Sequence, residues 1–169
     1  MSTAELPALR RLRVVNGFDV HPLVEGRALL LGGVRIEHSH GLDGHSDGDV
    51  VAHAVTDAVC GGVGLGDIGL LFPSSDASLE GADSMELLRQ AVERVRNTGA
   101  EVLSVDVVVM AQVPHLAPHR TAIEESLAAA LGLDATQIAV RATTTDHLGF
   151  VGRKEGIAAL ATATVLRAE

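Results

Sequence analysis

Residues 41–57, Gly-Leu-Asp-Gly-His-Ser-Asp-Gly-Asp-Val-Val-Ala-His-Ala-Val-Thr-Asp, place two histidines and four aspartates in a glycine-punctuated stretch that runs into an apolar pattern. Asp49, His53 and Asp57 recur every four residues, so on a helix they share one face. Val50, Val51, Ala54, Val55 and Ala58 supply its apolar remainder. This spacing predicts a helix that packs on a core while presenting an imidazole and carboxylates to a pocket, a rigid mount for a metal ligand. Upstream, Asp19 and His21 lie two apart in an extended-looking stretch, and residues i and i+2 of a strand point to one side. Asp19 and His21 are expected to grip one ion, with His53 closing the site from the helix. An Asp-His-His set suits zinc and, less selectively, manganese or other divalent ions. Three protein ligands leave a position open for water or substrate, the pattern of a catalytic ion. Asp57 is expected to support one of the metal histidines from behind.

The elements that must hold these residues follow from periodicity and stop signals. Strand character covers residues 12–20, and a hairpin over 27–36 turns at Gly32-Gly33. The histidine helix spans 49–62, with Asp49 near its N-cap, and gives out in the glycines of 61–66. Residues 67–73 read as a tight turn entering a loop. A second helix covers 83–97, capped by Asp83 or Ser84 and stopped by Gly99. A Val-rich strand over 101–112 leads through a loop at 114–118 to a third helix, which Gly132 stops after Leu131. Asp134 or Thr136 opens a turn before a strand at 138–143. The Ala-rich end, 156–168, suits a helix by propensity, but alternation of Ile157, Ala159, Ala161 and Ala163 suits a strand that would complete a sheet. The expected fold class is α+β: a small mixed sheet of three or four strands, covered on one face by helices. Its open apolar face would need burial by another subunit. Residues 1–11 are expected to be a flexible extension and 12–169 a single domain.

Composition narrows the function classes. With 169 residues the chain is long enough for a core of its own. The net charge is −9 and Lys154 is the only lysine, so no basic stripe is available for nucleic acid. No apolar run reaches membrane-spanning length, and the first residues lack the apolar stretch of a secretory signal. The single cysteine, Cys60, excludes an internal disulfide and reads as a small buried hydrophobe. These features favour the cytoplasm. Phe18, Phe72 and Phe150 are the only aromatic residues besides histidine, and each lies in a Gly-rich segment, so they are expected to wall a pocket. An anionic substrate would find its positive field in bound cations and backbone N–H groups.

Taken in order, the motifs Gly17-Phe18-Asp19-Val20-His21, Gly32-Gly33-Val34-Arg35-Ile36, His45-Ser46-Asp47-Gly48-Asp49-Val50 with His53, Asp67-Ile68-Gly69 with Phe72-Pro73, Gly81-Ala82-Asp83-Ser84, Ala111-Gln112-Val113-Pro114, Thr143-Thr144-Thr145 and Leu148-Gly149-Phe150-Val151-Gly152-Arg153 resemble the 2-C-methyl-D-erythritol 2,4-cyclodiphosphate synthases of non-mevalonate isoprenoid biosynthesis. The resemblance implies a homotrimer with active sites between neighbouring subunits. It implies that 4-diphosphocytidyl-2-C-methyl-D-erythritol 2-phosphate is cyclised with loss of CMP, an intramolecular phosphoryl transfer that needs positioning and charge neutralisation rather than a protein nucleophile.

The same resemblance assigns roles. Asp19, His21 and His53 match zinc ligands, and a magnesium or manganese ion would sit on the diphosphate near Asp146. His45 and Thr144 match positions that stabilise the transition state. Ser46 is expected to contact substrate. Asp67, Ile68 and Gly69 match the part that holds methylerythritol, with Phe72 and Asp76 nearby. Ala111, Gln112, Pro114, His115 and Leu116, with Thr143, Thr145 and Asp146, match the CDP-binding loops, and Phe150 and Arg153 further substrate contacts. Phe18, Arg153 and Glu155 would line a trimer cavity able to take an isoprenoid diphosphate. Four positions depart from the family's usual pattern: Val15 stands for Gly, His115 for Lys, Asp146 for Glu and Ser74 for an acid. A histidine at 115 is a cation only when protonated, which makes its phosphate contact pH-dependent. Two other readings compete: a phosphohydrolase using Asp57 as base, and a non-enzymatic trimer with a structural metal.

Overall fold

At Gly17 the first strand passes so near the histidine helix that an added Cβ would lie 2.0 Å from the Ala54 carbonyl oxygen. The computed structural model describes residues 9–169, and residues 9–11 are helical; the rest of the expected flexible extension lies outside the described residues. Seven strands follow: β1 (Leu12–Glu25), β2 (Leu29–Leu31), β3 (Val34–Ile36), β4 (His40–Leu42), β5 (Glu101–Met110), β6 (Ile138–Thr143) and β7 (Gly156–Leu166). Five form one sheet in the order β4-β1-β7-β5-β6, while β2 and β3 make a separate ribbon. β5 and β6 are parallel and the other neighbours antiparallel, so the sheet is mixed. The class is the expected α+β, with more strands than the three or four expected.

The additional strands have physical causes. β1 does not stop at residue 20. It pairs with β7 through Pro22 opposite Gly156 and then changes partner to β4 at Leu23 opposite Leu42. A strand that changes partner tolerates the proline, whose missing N–H would break a continuous ladder. The Gly32-Gly33 turn is as expected: both glycines have positive φ, 58° and 77°, the backbone that a two-residue hairpin turn requires. The Ala-rich end is a strand because its odd residues, from Ile157 to Val165, are almost fully buried under the helix layer, whereas Leu160, Thr162 and Thr164 point to the other face.

The helices are α1 (Val50–Val63), α2 (Ile68–Leu71), α3 (Ser84–Asn97), α4 (Arg120–Leu131) and α5 (Gly149–Gly152). α1 lies on β1 and β7, α3 packs on α1, and α4 covers β6. α1 is buried nearly all round, with Val50, Val51, Ala54, Val55, Ala58 and Val59 at 0 % exposure. Cys60 is among them, and burial pushes its thiol up to about 11, so it is an inert core residue. Asp49 caps α1 and Asp83 caps α3 through side-chain acceptance of the first free N–H groups. Residues 67–73, expected as a turn, contain the one-turn helix α2, capped by Asp67. None of the three phenylalanines belongs to the fully buried core among the described residues.

Candidate active site

Asp19 and His21 point to the same side of β1 as Gly17, toward α1, and His53 reaches down from α1. Their atoms converge. Asp19 Oδ2 lies 2.9 Å from His21 Nε2 and 2.9 Å from His53 Nδ1, and the two histidine nitrogens are 3.0 Å apart. This is the one group of three potential metal-ligating side chains so placed among the described residues. His53 is buried and the other two are half-buried.

Proton bookkeeping tests whether a cation fits. His21 Nδ1 contacts the carbonyl oxygen of Asp43. A carbonyl only accepts, so Nδ1 carries the hydrogen, and a neutral His21 turns a bare Nε2 toward the Asp19 carboxylate. Two acceptors facing each other at 2.9 Å repel, and a proton or a metal between them stabilises the contact. The field at the site agrees. Burial opposes ionisation of Asp19, but hydrogen bonds and charge from His21 and His53 outweigh it and hold the carboxyl well below the usual range. Burial also opposes protonation of His21, yet the Asp19 carboxylate raises its proton affinity. A hard-to-borderline N/N/O triangle, open on one side, fits a divalent ion with a vacant coordination position.

The triangle opens into a cavity of about 340 Å³. Its walls include His45, Ser46, Ile68, Gly69 and Phe72. His45 Nε2 is 3.3 Å from the Asp76 carbonyl oxygen, and the Arg94 guanidinium sits 5.0 Å from the centre of the Phe72 ring. Arg27 ties the loop down by donating to the Asp43 carboxylate at 2.8 Å, the Gly44 carbonyl at 3.2 Å and the Ser46 carbonyl at 2.9 Å. A second cavity, about 670 Å³, is lined by Ala111, Gln112, Pro114, His115, Leu116, Thr143 and Thr144, together with Arg120 and Arg141. It has no carboxylate in its wall, although the chain carries 22 acidic against 13 basic residues. That favours an anionic occupant.

The two cavities share no wall residue. Within one chain, therefore, His45 and Thr144 are not brought together. The Asp67 and Asp76 carboxylates bind local backbone N–H groups, of Leu70 at 2.9 Å and of Ser78 at 3.0 Å, rather than facing either cavity. Thr145 donates to the Leu148 carbonyl, and Asp146 stands exposed with a φ of 52°. Phe150 is exposed, and Arg153 is held by a two-pronged pair with Glu155 at 2.9 Å on each arm.

Two expectations about α1 are corrected. Asp49 does not face the cavity. It is fully buried and accepts from the N–H groups of Gly32, Gly33, Val51 and Ala52, which joins the helix start to the β2–β3 turn. Asp57 does not support a metal histidine. Its carboxylate accepts from the Ile68 N–H at 2.7 Å and anchors α2. The supports are instead the Asp43 carbonyl behind His21 and the Ser46 and Ser84 hydroxyls behind His53, at 3.0 and 2.9 Å. A backbone carbonyl leaves no sequence signal, and Ser84 reads as an ordinary helix-start residue.

The sequence model of the YgbB family covers residues 12–166. A 2-C-methyl-D-erythritol 2,4-cyclodiphosphate synthase from Bordetella avium is 56% identical over 87% of this chain and 91% of its own length. The solved structure of a bifunctional IspDF from Campylobacter jejuni aligns with a TM-score of 0.90 at 49% identity, over 94% of this chain but 43% of that longer protein. A 2C-methyl-D-erythritol-2,4-cyclodiphosphate synthase solved with CDP bound aligns with a TM-score of 0.83 at 38% identity, over 90% of this chain and 99% of that one.

Proposed function

The chain belongs to the YgbB family, and from that premise we propose that it converts 4-diphosphocytidyl-2-C-methyl-D-erythritol 2-phosphate to 2-C-methyl-D-erythritol 2,4-cyclodiphosphate and CMP. An oxygen of the 2-phosphate attacks the β-phosphorus of the same molecule. The bond from that phosphorus to the bridging oxygen breaks, and CMP leaves with the electron pair. The observation that carries the reading is the Asp19–His21–His53 triangle opening into a cavity beside His45 and Ser46. Asp19, His21 and His53 would hold a divalent ion, read as zinc, which would supply Lewis-acid neutralisation of phosphate charge. Ser46 and the walls at Ile68, Gly69 and Phe72 seat the methylerythritol phosphate. The His45 N–H and the Thr144 hydroxyl donate to oxygens that gain charge as the ring closes. The acid-free second cavity takes the cytidine diphosphate, with His115 near its phosphates. Asp146 would be the protein partner of a magnesium or manganese ion, which would offset charge on the diphosphate.

The same geometry supports a reading of the assembly. Cavities that share no wall can serve one substrate if the second cavity of one subunit meets the first cavity of its neighbour. We read the protein as a homotrimer of the single domain 12–169, working in the cytoplasm. Supporting this is a row of apolar side chains on the sheet face away from α1: Val14, Phe18 and Val20 on β1 are 67%, 55% and 42% exposed, and Leu160 on β7, paired with Phe18, is 37% exposed. Phe18, Val20 and Leu160 form one exposed apolar cluster, set apart from Val14 by the hydrogen-bonded Asn16–Thr162 pair, and such a cluster supports an interaction surface. Such a trimer would bring the Phe18 side chains and the Arg153–Glu155 pairs toward its axis, where an isoprenoid diphosphate could sit. The test is incubation with the cytidylyl substrate, followed by phosphorus NMR. A cyclic diphosphate formed in step with CMP supports the reading, and an open-chain phosphate product would favour a hydrolase.

A further inference from the structure

His53 presents Nδ1 to the metal triangle, which leaves Nε2 to be satisfied from behind. Nε2 lies 3.0 Å from the Ser46 hydroxyl and 2.9 Å from the Ser84 hydroxyl, and the two hydroxyls are 3.0 Å apart. An imidazole nitrogen and two hydroxyls in mutual contact can share their hydrogens in more than one pattern. In one, Nε2–H donates to a serine and Nδ1 is bare. In another, a serine donates to Nε2 and the hydrogen sits on Nδ1, facing Asp19. Only the first offers a lone pair to a cation.

Asp47 removes the choice. Its Oδ1 contacts the Ser84 hydroxyl, and its Oδ2 accepts from the Ser84 N–H at 3.2 Å. A carboxylate only accepts, so the Ser84 hydrogen points at Asp47. Ser84 Oγ is then an acceptor toward everything else it touches. Ser46 donates to it and in turn accepts from the Gly48 N–H at 3.3 Å. His53 Nε2 must also donate, because a bare Nε2 would set two lone pairs against each other in a buried site where Ser84 is 0% exposed. We propose that Asp47 and Ser84 are positioning residues of the metal site: Asp47 orients the Ser84 hydroxyl, and that hydroxyl fixes His53 as the Nε2–H tautomer with its Nδ1 lone pair aimed at the ion. The proposal rests on reading Asp19, His21 and His53 as metal ligands.

Removing the relay has a defined consequence. In Ser84→Ala, Ser46 is released to donate to Nε2, and His53 moves its hydrogen to Nδ1, where Asp19 accepts it. Metal must then displace that arrangement, and loss of such outer partners lowers metal affinity by about 10- to 100-fold. The experiment reads the protonated nitrogen of each histidine in metal-free, 15N-histidine-labelled protein, above the pH range of imidazole titration, and then measures zinc affinity by competition with a chromophoric chelator. Wild type is expected to show Nε2–H at His53 and Nδ1–H at His21. Ser84→Ala and Asp47→Ala should move His53 alone to Nδ1–H and weaken zinc by 10- to 100-fold, while Ser84→Thr keeps both wild-type readings. A general structural defect would disturb His21 as well, which the Asp43 carbonyl holds independently. Wild-type His53 carrying its hydrogen on Nδ1, or Ser84→Ala keeping Nε2–H with unchanged zinc affinity, would overturn the proposal. Wild-type protein that binds no zinc or other divalent ion would instead overturn the metal reading, since the tautomer is read without metal.

Discussion

Replacing Gly17 with alanine tests how the sheet and helix set the ligand spacing. A Cβ at this position would lie 2.0 Å from the Ala54 carbonyl oxygen, 2.6 Å from the Ala58 nitrogen and 2.9 Å from the Asp57 Cβ. The two closest atoms are helix backbone, so no side-chain rotation relieves the contact. β1 and α1 must separate. Relief calls for a movement of about 1 Å, against the ~0.5 Å within which a functional constellation has to be held. β1 carries Asp19 and His21, and α1 carries His53 next to Ala54, so the separation falls directly on the 2.9 Å Asp19–His53 contact. Overpacking of this kind costs about 1–3 kcal/mol. For a domain of this size each kcal/mol lowers Tm by about 2–4 °C. Gly17→Ala should therefore fold with a Tm several degrees lower and lose zinc affinity by at least about tenfold, the lower end of what a displaced supporting partner costs. Thermal unfolding of metal-free protein and chelator-competition titration measure the two effects. A lowered Tm with unchanged zinc affinity would refute the reasoning, because it would show that the ligands keep their spacing without the close contact.

His53→Ala should leave the fold intact, since the Ser46 and Ser84 hydroxyls keep each other, Gly48 and Asp47 as partners, yet abolish stoichiometric zinc; metal analysis after gel filtration reads this, and a full zinc complement would remove His53 from the ligand set. His45→Ala and Thr144→Ala should each lower kcat on the order of 100-fold with much less change in KM, since donors to developing charge act mainly in the transition state; steady-state kinetics with an intact kcat and a raised KM would reduce these residues to binding groups. Zinc and a proton compete for His21 Nε2. Because Asp19 outweighs burial and raises the proton affinity of His21, zinc affinity should climb about tenfold per pH unit below that raised pKa and level off above it. Competition titrations from acid to alkaline pH check the sign, and an affinity that is flat through and below the ordinary imidazole range would contradict it.

Much of the scaffold was legible because it rests on strong local signals. The caps Asp49 and Asp83, the stop at Gly132, the Gly32-Gly33 turn and β6 all follow from residue type and period. The short elements β4, α2 and α5 did not announce themselves, since three or four residues hold less than one period of any pattern. The metal triangle was readable from two independent periodicities, the i, i+2 pair on β1 and the histidine on α1. What surrounds it was not. A spacing of four put Asp49, His53 and Asp57 on one face, but capping turned Asp49 into the β2–β3 turn and α2 claimed Asp57. The groups that do orient the histidines, the Asp43 carbonyl, Ser84 and Asp47, come from segments brought together only by folding.

We propose that one active site is assembled from the His45 cavity of one subunit and the Thr144 cavity of its neighbour. Subunit complementation measures this directly. His45→Ala and Thr144→Ala proteins, each nearly inactive alone, are co-expressed in equal amounts so that mixed assemblies form, and cyclic diphosphate production is followed by phosphorus NMR. Random mixing in a closed ring places an intact His45 opposite an intact Thr144 at about one boundary in four. Mixed assemblies should recover about a quarter of wild-type turnover; if they stay as inactive as either parent, the two cavities do not serve one substrate across a subunit boundary.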